Sequence, residues 1–217
     1  ASFELVDIPF IKYIASKNKL IIMSTGMATL GEIEEAVNAI RSQGNNNLCL
    51  LKCSSAYPAI SSDMNLKTMI NLRDTFSVPV GLSDHSLDSI AAIAAVAMGA
   101  KVIEKHFCIS REVENPDASF SMEVHEFKQM VEDIRATERA IGTVCYNASE
   151  KEEESKIFRR SIFVVENIKE GEVFTEKNIR VIRPNVGLEP KYYEEVLGKT
   201  ASISVERGTP LAWGMVR

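Results

Sequence analysis

Two similar segments decide the fold: Val80-Gly81-Leu82-Ser83-Asp84-His85 and Lys101-Val102-Ile103-Glu104-Lys105-His106. Each is a short apolar run that ends in polar residues and a histidine. The segment between them, Ser86–Ala100, is rich in small apolar side chains and is typical of a helix. A strand–helix–strand unit of this length makes the strands parallel neighbours. We therefore expect both histidines at the same edge of a parallel sheet, where α/β enzymes carry out their chemistry.

Four apolar runs predict this sheet, and their starts follow one another at intervals of 23 to 30 residues. Because they lack polar alternation, they are typical of strands covered on both faces. The predicted strands are Lys19–Met23, Leu48–Lys52, Val78–Leu82 and Lys101–Glu104; the predicted helices are 30–41, 66–76, 86–98 and 124–141. This alternation indicates an α/β fold and about half of a (β/α)8 barrel, which usually has about 250 residues. We expect further barrel units before Ala1.

The pattern changes after Gly142 and predicts a second domain. We assign residues 1–143 to a partial barrel, 144–157 to a linker and 158–217 to a small β-rich domain. The charged run Asn147–Ser155 suits either a linker or a solvated helix. The β-like segments of the small domain are 161–165, 171–174, 179–182 and 201–205.

Composition excludes several classes of function. The chain has 217 residues, 45% of them hydrophobic, and a net charge of −5, which argues against general nucleic-acid binding. No apolar stretch is long enough to span a membrane, and no signal peptide is evident. The four cysteines form no paired framework, which suggests a reducing, cytoplasmic setting, with Cys49 and Cys53 as core thiols.

The two strand-end histidines are the leading candidates for chemistry. Two neutral imidazoles on neighbouring strands suit a divalent metal with open positions, or direct catalysis. The adjacent acids Asp84 and Glu104 would either orient the imidazoles or contact substrate. His125 opens a helix without such a setting and is expected at the surface.

Polar residues at the ends of the first two strands offer further contacts. Ser24-Thr25-Gly26 could bind an anion, or Thr25 or Thr29 could merely cap the next helix. Ser55 and Tyr57 suit sugar hydroxyls, the alternative being a polar loop with Tyr57 packed near Pro58.

Two residues later in the chain, Asp117 and Arg183, are candidates either for binding a ligand or for ordinary solvent-exposed positions. Asp117 lies in the long loop 108–122, where substrate contacts are frequent, although a solvated turn is equally compatible. Arg183, in a turn of the small domain, suits bidentate contact with a carboxylate or phosphate but is also compatible with an ordinary surface charge.

Taken in order, the motifs resemble the sialic acid synthase (NeuB-like) family. They are ASFE (1–4), IIMSTGMAT (21–29), LLKCSSAYP (50–58), VGLSDHS (80–86), VIEKHF (102–107), NPDASFSM (115–122) and RRSIFVVENIKEGEVFTEKNIRVIRPNVGLEPKYYEEVLGK (159–199). The resemblance implies the C-terminal half of a (β/α)8 TIM barrel followed by a SAF (antifreeze-like) domain. It also implies a transferase that condenses phosphoenolpyruvate with an N-acetylated amino sugar, using a divalent metal, usually Mn²⁺, with Mg²⁺ or Co²⁺ as alternatives.

The resemblance also assigns roles to residues. His85 and His106 match the metal-binding and catalytic histidines, with Glu104 as the third catalytic residue. The matching substrate contacts are Ser2, Ser24 and Ser83 around phosphate; Ser55, Tyr57, Glu104 and Asp117 around the sugar; and Arg183 reaching the partner subunit's sugar site in a domain-swapped homodimer. The family's first-strand acid and its phosphate-binding lysines have no match after Ala1, so we expect this chain alone to be inactive.

Within the family, four stretches most resemble the pseudaminic acid synthase branch: 3–17, 50–59, 117–122 and 183–199. That branch uses 2,4-diacetamido-2,4,6-trideoxy-L-altrose; legionaminic and N-acetylneuraminic acid synthases are the alternatives. Two other classes remain open. A metal-dependent aldolase or isomerase would explain the histidines but not the small domain, and a non-catalytic SAF-type binding module predicts no metal at the histidines.

Overall fold

The computed structural model describes residues 1–217. The chain forms two compact units, Ala1–Thr143 and Val144–Arg217. No helix in either unit combines the length and apolar character needed to cross a bilayer.

The first unit is built on a four-stranded sheet. Its strands are β1 (Ile21–Ser24), β2 (Leu48–Cys53), β3 (Val80–Asp84) and β4 (Val102–Lys105). All pairs are parallel, and the order β1-β2-β3-β4 follows the sequence. This is the arrangement of successive units in a barrel, which confirms the predicted half-barrel class. Three strands begin one or two residues later than predicted, and all four extend one or two residues further into the polar ends, because the ladder continues through those residues.

Five helices accompany this sheet: α1 (Ile8–Ala15), α2 (Leu30–Ser42), α3 (Lys67–Phe76), α4 (Ile90–Ala97) and α5 (Val124–Ile141). The sequence analysis assigned no helix to α1, although Asp7 caps it and a proline occupies its first turn. Thr29 forms a capping box with Glu32 and thus starts α2, whereas the Thr25 hydroxyl donates to the Leu51 carbonyl at 2.9 Å. The helix predicted over 86–98 is shorter than expected.

The interior of the first unit joins the strands to the helices. Leu50, Leu51 and Leu82 from the strands are fully buried, as are Ile40 and Met69 from the helices. Burial of one such side chain contributes about 1.5–3 kcal/mol. Cys49 and Cys53 are also buried, as the sequence predicted.

The second unit contains a two-stranded antiparallel sheet, β5 (Ser161–Val164) and β6 (Ile179–Ile182), and the short helices α6 (Glu150–Ser155) and α7 (Tyr193–Val196). Ile162, Phe174, Ile179 and Leu211 form its fully buried centre.

Two predicted strands of the second unit are corrected, whereas the helix offered as one interpretation of Asn147–Ser155 is present. Residues 171–174 and 201–205 form isolated bridges rather than strands. The chain turns at Gly171 and Gly198, both with positive φ, so no continuous ladder develops. The charged run before the unit's sheet contains helix α6, started by a capping box of Ser149 and Glu152.

Candidate active site

The carboxyl ends of β3 and β4 bring the leading candidates together. Ser83 lies opposite Glu104 in the ladder, and Ser83 Oγ donates to Glu104 Oε1 at 2.7 Å. His85 and His106 follow two residues later on the same face, because side chains alternate along a strand. Ser83, Glu104, both histidines and Lys105, whose side chain is only 1% exposed, line one open pocket of about 470 Å³.

His85 is 6% exposed and held by a defined hydrogen bond. Its Nδ1 lies 2.8 Å from the Ser54 carbonyl oxygen. Since a carbonyl only accepts, Nδ1 carries the hydrogen, and in the neutral ring Nε2 keeps the lone pair that a metal needs. Burial opposes the charged ring, but hydrogen bonds with Cys53 and Ser54 outweigh it and raise the pKa of His85.

His106 is partly exposed, and its ring centroid lies 5.2 Å from that of His85. Its Nδ1 lies 3.6 Å from Asp117 Oδ2, which is within ion-pair distance but too long for a hydrogen bond that would fix the ring. Two rings this close can ligate one ion through bonds of about 2.0–2.1 Å. No third His, Cys, Asp or Glu completes a cluster, so water or substrate oxygens would fill the other positions.

Two aromatic rings enclose the histidine pair. The Tyr57 ring lies 4.3 Å from His85 and the Phe120 ring 4.9 Å from His106, measured between centroids. Tyr57 and Phe120 also contact each other at 5.1 Å. Tyr57 therefore belongs to the site rather than to an independent loop. Sequence reasoning did not single out Phe120, although it lies in the motif NPDASFSM (115–122) of the long loop.

A second polar cluster lies at the ends of β1 and β2. The Gly26 N–H donates to Ser2 Oγ at 3.0 Å, and Cys53 Sγ lies 3.7 Å from Ser55 Oγ and 3.9 Å from His85 Nδ1. Burial raises the pKa of the Cys53 thiol, but hydrogen bonds from His85, Ser2 and Ser55 outweigh it and lower the pKa to about 7. The thiol predicted as a core residue is thus also a contact of the site.

Gly26 leaves the space that these hydroxyls occupy, while Ser24 is buried two residues earlier at the end of β1. A Cβ at Gly26 would lie 2.1 Å from Ser55 Oγ and 2.7 Å from Ser2 Oγ. Glycine is therefore required here by close approach, a reason that the sequence alone did not reveal.

Replacing Gly26 by alanine is expected to displace both hydroxyls with little effect on folding, since serine side chains can rotate. A displacement of about 1 Å in a site costs about 100-fold in turnover. Steady-state kcat/KM and thermal unfolding of the complete gene product carrying Gly26→Ala measure the two effects. Gly214→Ala is the control, because nothing lies near its Cβ position. Unchanged kcat/KM would contradict a role for the hydroxyls.

The loop that carries Asp117 is fastened to α5 through Arg111. Arg111 makes a bidentate pair with Glu126, at 2.6 and 2.8 Å, and its N–H donates to Glu123 Oε1 at 2.7 Å. His106, Asp117 and this loop line a second pocket of about 790 Å³. Asp117 is exposed at this pocket beside His106.

The Arg111 hydrogen bond lowers the pKa of Glu126 from 4.5 to about 2. Because folding lowers this pKa, the stabilisation is complete above pH 4.5 and diminishes as the pH falls toward 2. Glu126→Gln is expected to lower the free energy of unfolding by about 1 kcal/mol at pH 7, with a smaller loss near pH 3. Urea unfolding at several pH values measures it. Glu132→Gln, at an exposed pair 3.8 Å long, serves as the control. Equal losses at both pH values would contradict the assignment.

Asp84 has partners outside the histidine pair, and Arg183 belongs to the second unit. The sequence analysis expected Asp84 to orient the imidazoles or to contact substrate. Its carboxylate instead pairs with Lys105 at 2.8 Å and accepts a hydrogen bond from the Ser86 N–H at 2.8 Å. Asp84 is therefore neither bonded to an imidazole nor in a position to bind substrate. Arg183 is exposed in the second unit, directly after β6. The turn behind it is fastened by Ser161, whose hydroxyl donates to the Pro184 carbonyl at 2.7 Å.

Comparison with known proteins agrees with this architecture. The model of the NeuB family matches residues 1–146, and that of the SAF domain matches residues 159–217. Pseudaminic acid synthase of Campylobacter jejuni subsp. jejuni serotype O:23/36 (strain 81-176) is 44% identical over 97% of this chain and 62% of its own length. N,N'-diacetyllegionaminic acid synthase of Campylobacter jejuni subsp. jejuni serotype O:2 (strain ATCC 700819 / NCTC 11168) is 43% identical over 93% of this chain and 61% of its own length.

A solved structure supports the same relationship. The crystal structure of the spore coat polysaccharide biosynthesis protein SpsE from Bacillus subtilis has a TM-score of 0.63 and 34% identity, covering 100% of this chain and 66% of that one. The chain thus spans slightly more than three fifths of the curated relatives named above. These matches confirm the resemblance that the motifs predicted: the chain belongs to the NeuB family and carries a SAF domain after its barrel unit.

Proposed function

We propose that the protein is a pseudaminic acid synthase, which condenses phosphoenolpyruvate with 2,4-diacetamido-2,4,6-trideoxy-L-altrose. The observation that carries the proposal is the pair of strand-end imidazoles, each with Nδ1 facing an oxygen, in a chain 44% identical to a pseudaminic acid synthase. Legionaminic acid synthesis is the second candidate, because a legionaminic acid synthase is 43% identical.

His85 and His106 would hold a divalent ion, for which we propose Mn²⁺, with Mg²⁺ or Co²⁺ as alternatives. The donor set fits, since both rings can offer Nε2 and lie 5.2 Å apart. When bound, such an ion supplies a Lewis acid for the carbonyl oxygen of the open-chain sugar. Both histidines and Glu104, which lines the same pocket, are the proposed catalytic residues.

The remaining side chains would bind and orient the two substrates. Ser2, Ser24 and Ser83 are proposed around the phosphate, where hydroxyls donate to its oxygens. Ser55, Tyr57, Glu104 and Asp117 are proposed around the sugar. Such positioning of two reactants removes much of the entropic barrier to their reaction.

The reaction balances without an oxidant. A carbon–carbon bond forms between C3 of phosphoenolpyruvate and the sugar carbonyl carbon, whose oxygen takes up a proton. Water adds at C2, the bond between C2 and the phosphate oxygen then breaks, and inorganic phosphate leaves as C2 becomes a ketone. One proton of the water is the one taken up by the sugar oxygen, and the other leaves with phosphate. Glu104, with one oxygen holding the Ser83 hydroxyl at 2.7 Å, is the carboxylate able to exchange a proton with the bound substrates.

We also propose a cytoplasmic homodimer in which Arg183 reaches the partner subunit's sugar site. Arg183 is exposed, and its guanidinium suits bidentate contact with an anionic or polyhydroxylated substrate. Four free cysteines favour a reducing compartment. The domain boundaries of this proposal are a partial barrel over 1–143, a connecting segment over 144–157 and the SAF domain over 158–217.

The decisive experiment is phosphate release by the complete gene product with phosphoenolpyruvate, Mn²⁺ and one sugar at a time. Phosphate release with the diacetamido altrose, and with neither of the other two sugars, supports the proposal. Release with the legionaminic acid precursor or with N-acetylmannosamine instead retains the reaction and changes the substrate. If no phosphate is released with any of the three sugars, the proposed synthase activity is overturned, and an aldolase, an isomerase or a binding module is favoured.

A further inference from the structure

A fully buried ion pair lies on the face of β3 and β4 opposite to the side chains of Ser83 and Glu104. Lys105 Nζ is 2.8 Å from Asp84 Oδ2, and the two side chains are 1% and 0% exposed. The two residues lie directly opposite each other in the ladder, one position beyond Ser83 and Glu104. Alternation along the strands therefore directs the ion pair away from the substrate side.

The Lys105 ammonium group and both oxygens of Asp84 are bonded within the protein. Besides Asp84, Lys105 Nζ donates to the carbonyl oxygens of Ser86 at 2.6 Å and Asp88 at 2.8 Å. An ammonium group has three hydrogens, so none remains for a ligand. The second oxygen of Asp84 accepts the Ser86 N–H at 2.8 Å. Neither group is available for substrate.

These bonds flank the two histidines in the chain. Asp84 precedes His85, Ser86 follows it, and Lys105 precedes His106. The ion pair consequently joins the residues on both sides of one imidazole to the residue before the other. Any shift of β4 relative to the turn after β3 would have to stretch several charge-assisted bonds.

We infer that the Asp84–Lys105 ion pair is a positioning element that sets the separation of the His85 and His106 imidazoles. By setting this separation, the ion pair also sets the affinity of the proposed metal site for a divalent cation, a consequence that rests on the proposed function. Buried ion pairs add little net stability compared with apolar side chains, but their directional bonds can define one geometry. The sheet could be stable without this pair, whereas the spacing of the rings depends on it.

The test uses the complete gene product with Asp84→Leu and Lys105→Met combined. Removing Asp84 alone leaves a buried unpaired charge and is expected to unfold the protein, whereas an apolar pair of similar volume is commonly tolerated. Lys105→Arg is the second variant, since it keeps the charge but its longer planar head group cannot take the position of Nζ. Arg135→Gln with Glu138→Gln removes an exposed pair of 2.7 Å and serves as the control.

Three measurements are made on each protein: thermal unfolding, Mn²⁺ affinity by calorimetry, and imidazole ¹⁵N signals, assigned with His85→Ala and His106→Ala. We expect the apolar double variant and Lys105→Arg to stay folded, to bind Mn²⁺ 10- to 100-fold more weakly, and to shift both imidazole signals. The control should match wild type in all three.

Failure of the inference and failure of the proposed function give different results. Wild-type Mn²⁺ affinity and unshifted imidazole signals in folded Lys105→Arg or the apolar double variant overturn the inference. If wild type and His85→Ala bind Mn²⁺ equally, or neither binds it, the proposed metal site fails. In that case the imidazole signals of the metal-free proteins test whether the ion pair positions the rings. A shift found only in the variants of the buried pair supports this role, and the absence of any shift overturns it.

Discussion

Replacing His85 or His106 by alanine is expected to lower the turnover of phosphate release by about 1,000-fold or more. Loss of Lewis-acid assistance costs several kcal/mol in the transition state, and each 1.36 kcal/mol is a factor of ten. Chelation of the divalent ion should have the same effect on the wild-type enzyme and little further effect on either variant. The measurement is kcat for phosphate release at saturating Mn²⁺.

The matched control is His125→Ala. His125 lies in the first turn of α5 with its side chain 76% exposed, and its Nδ1 lies 3.8 Å from Glu123 Oε2. We expect it to retain wild-type turnover. Thermal unfolding should show that all three variants are folded, because none of the three histidines belongs to the hydrophobic core. Substantial turnover in His85→Ala, still sensitive to chelation, would contradict metal ligation by this residue.

Replacing Gly81 by alanine is expected to destabilise the first unit strongly. A Cβ there would lie 2.2 Å from the Val102 carbonyl oxygen and 2.7 Å from Leu51 Cδ2. The carbonyl belongs to strand β4, so the clash separates β3 from β4 instead of moving a flexible side chain. We expect a loss of about 3 kcal/mol in the free energy of unfolding, the upper range for an overpacked interior.

Gly31→Ala provides the comparison for this loss. Gly31 lies in helix α2, and nothing lies within 4 Å of its Cβ position. Alanine favours a helix over glycine by about 0.5–1 kcal/mol, so this variant should be as stable as wild type or slightly more stable. Urea unfolding measures both. Equal stability of the two variants would show that the approach of β4 to Gly81 is not tight in solution.

Gly81 also links stability to the site. It precedes Ser83 by two residues on the same strand face, and its partner in the ladder precedes Glu104 by two. The Gly81→Ala protein that remains folded should therefore show lengthened contacts between Ser83 and Glu104 and reduced turnover. The close packing of strands and the placement of the pocket residues depend on the same two backbones.

Local patterns in the sequence were sufficient for the sheet and most of its helices. Apolar runs at regular intervals marked β1 to β4, and the helical periodicity of 124–141 matched α5 at both ends. The position of His85 and His106 at neighbouring strand ends followed from the same regularity, because consecutive parallel strands place their carboxyl ends together. Helix α1 was not predicted, although Ile8, Ile11 and Ala15 lie at helical spacing and share its core-facing side.

The contacts that define the site came only from the tertiary structure. The strand register decides that Asp84 meets Lys105 instead of an imidazole, and the courses of separate loops bring Tyr57 and Phe120 to the two histidines. The sequence by itself determined the family, the alternating fold and the pair of strand-end histidines, because these are encoded in local order and spacing. Only the tertiary structure decided their partners, because hydrogen bonds and ring contacts join residues whose separation along the chain carries no periodic signal.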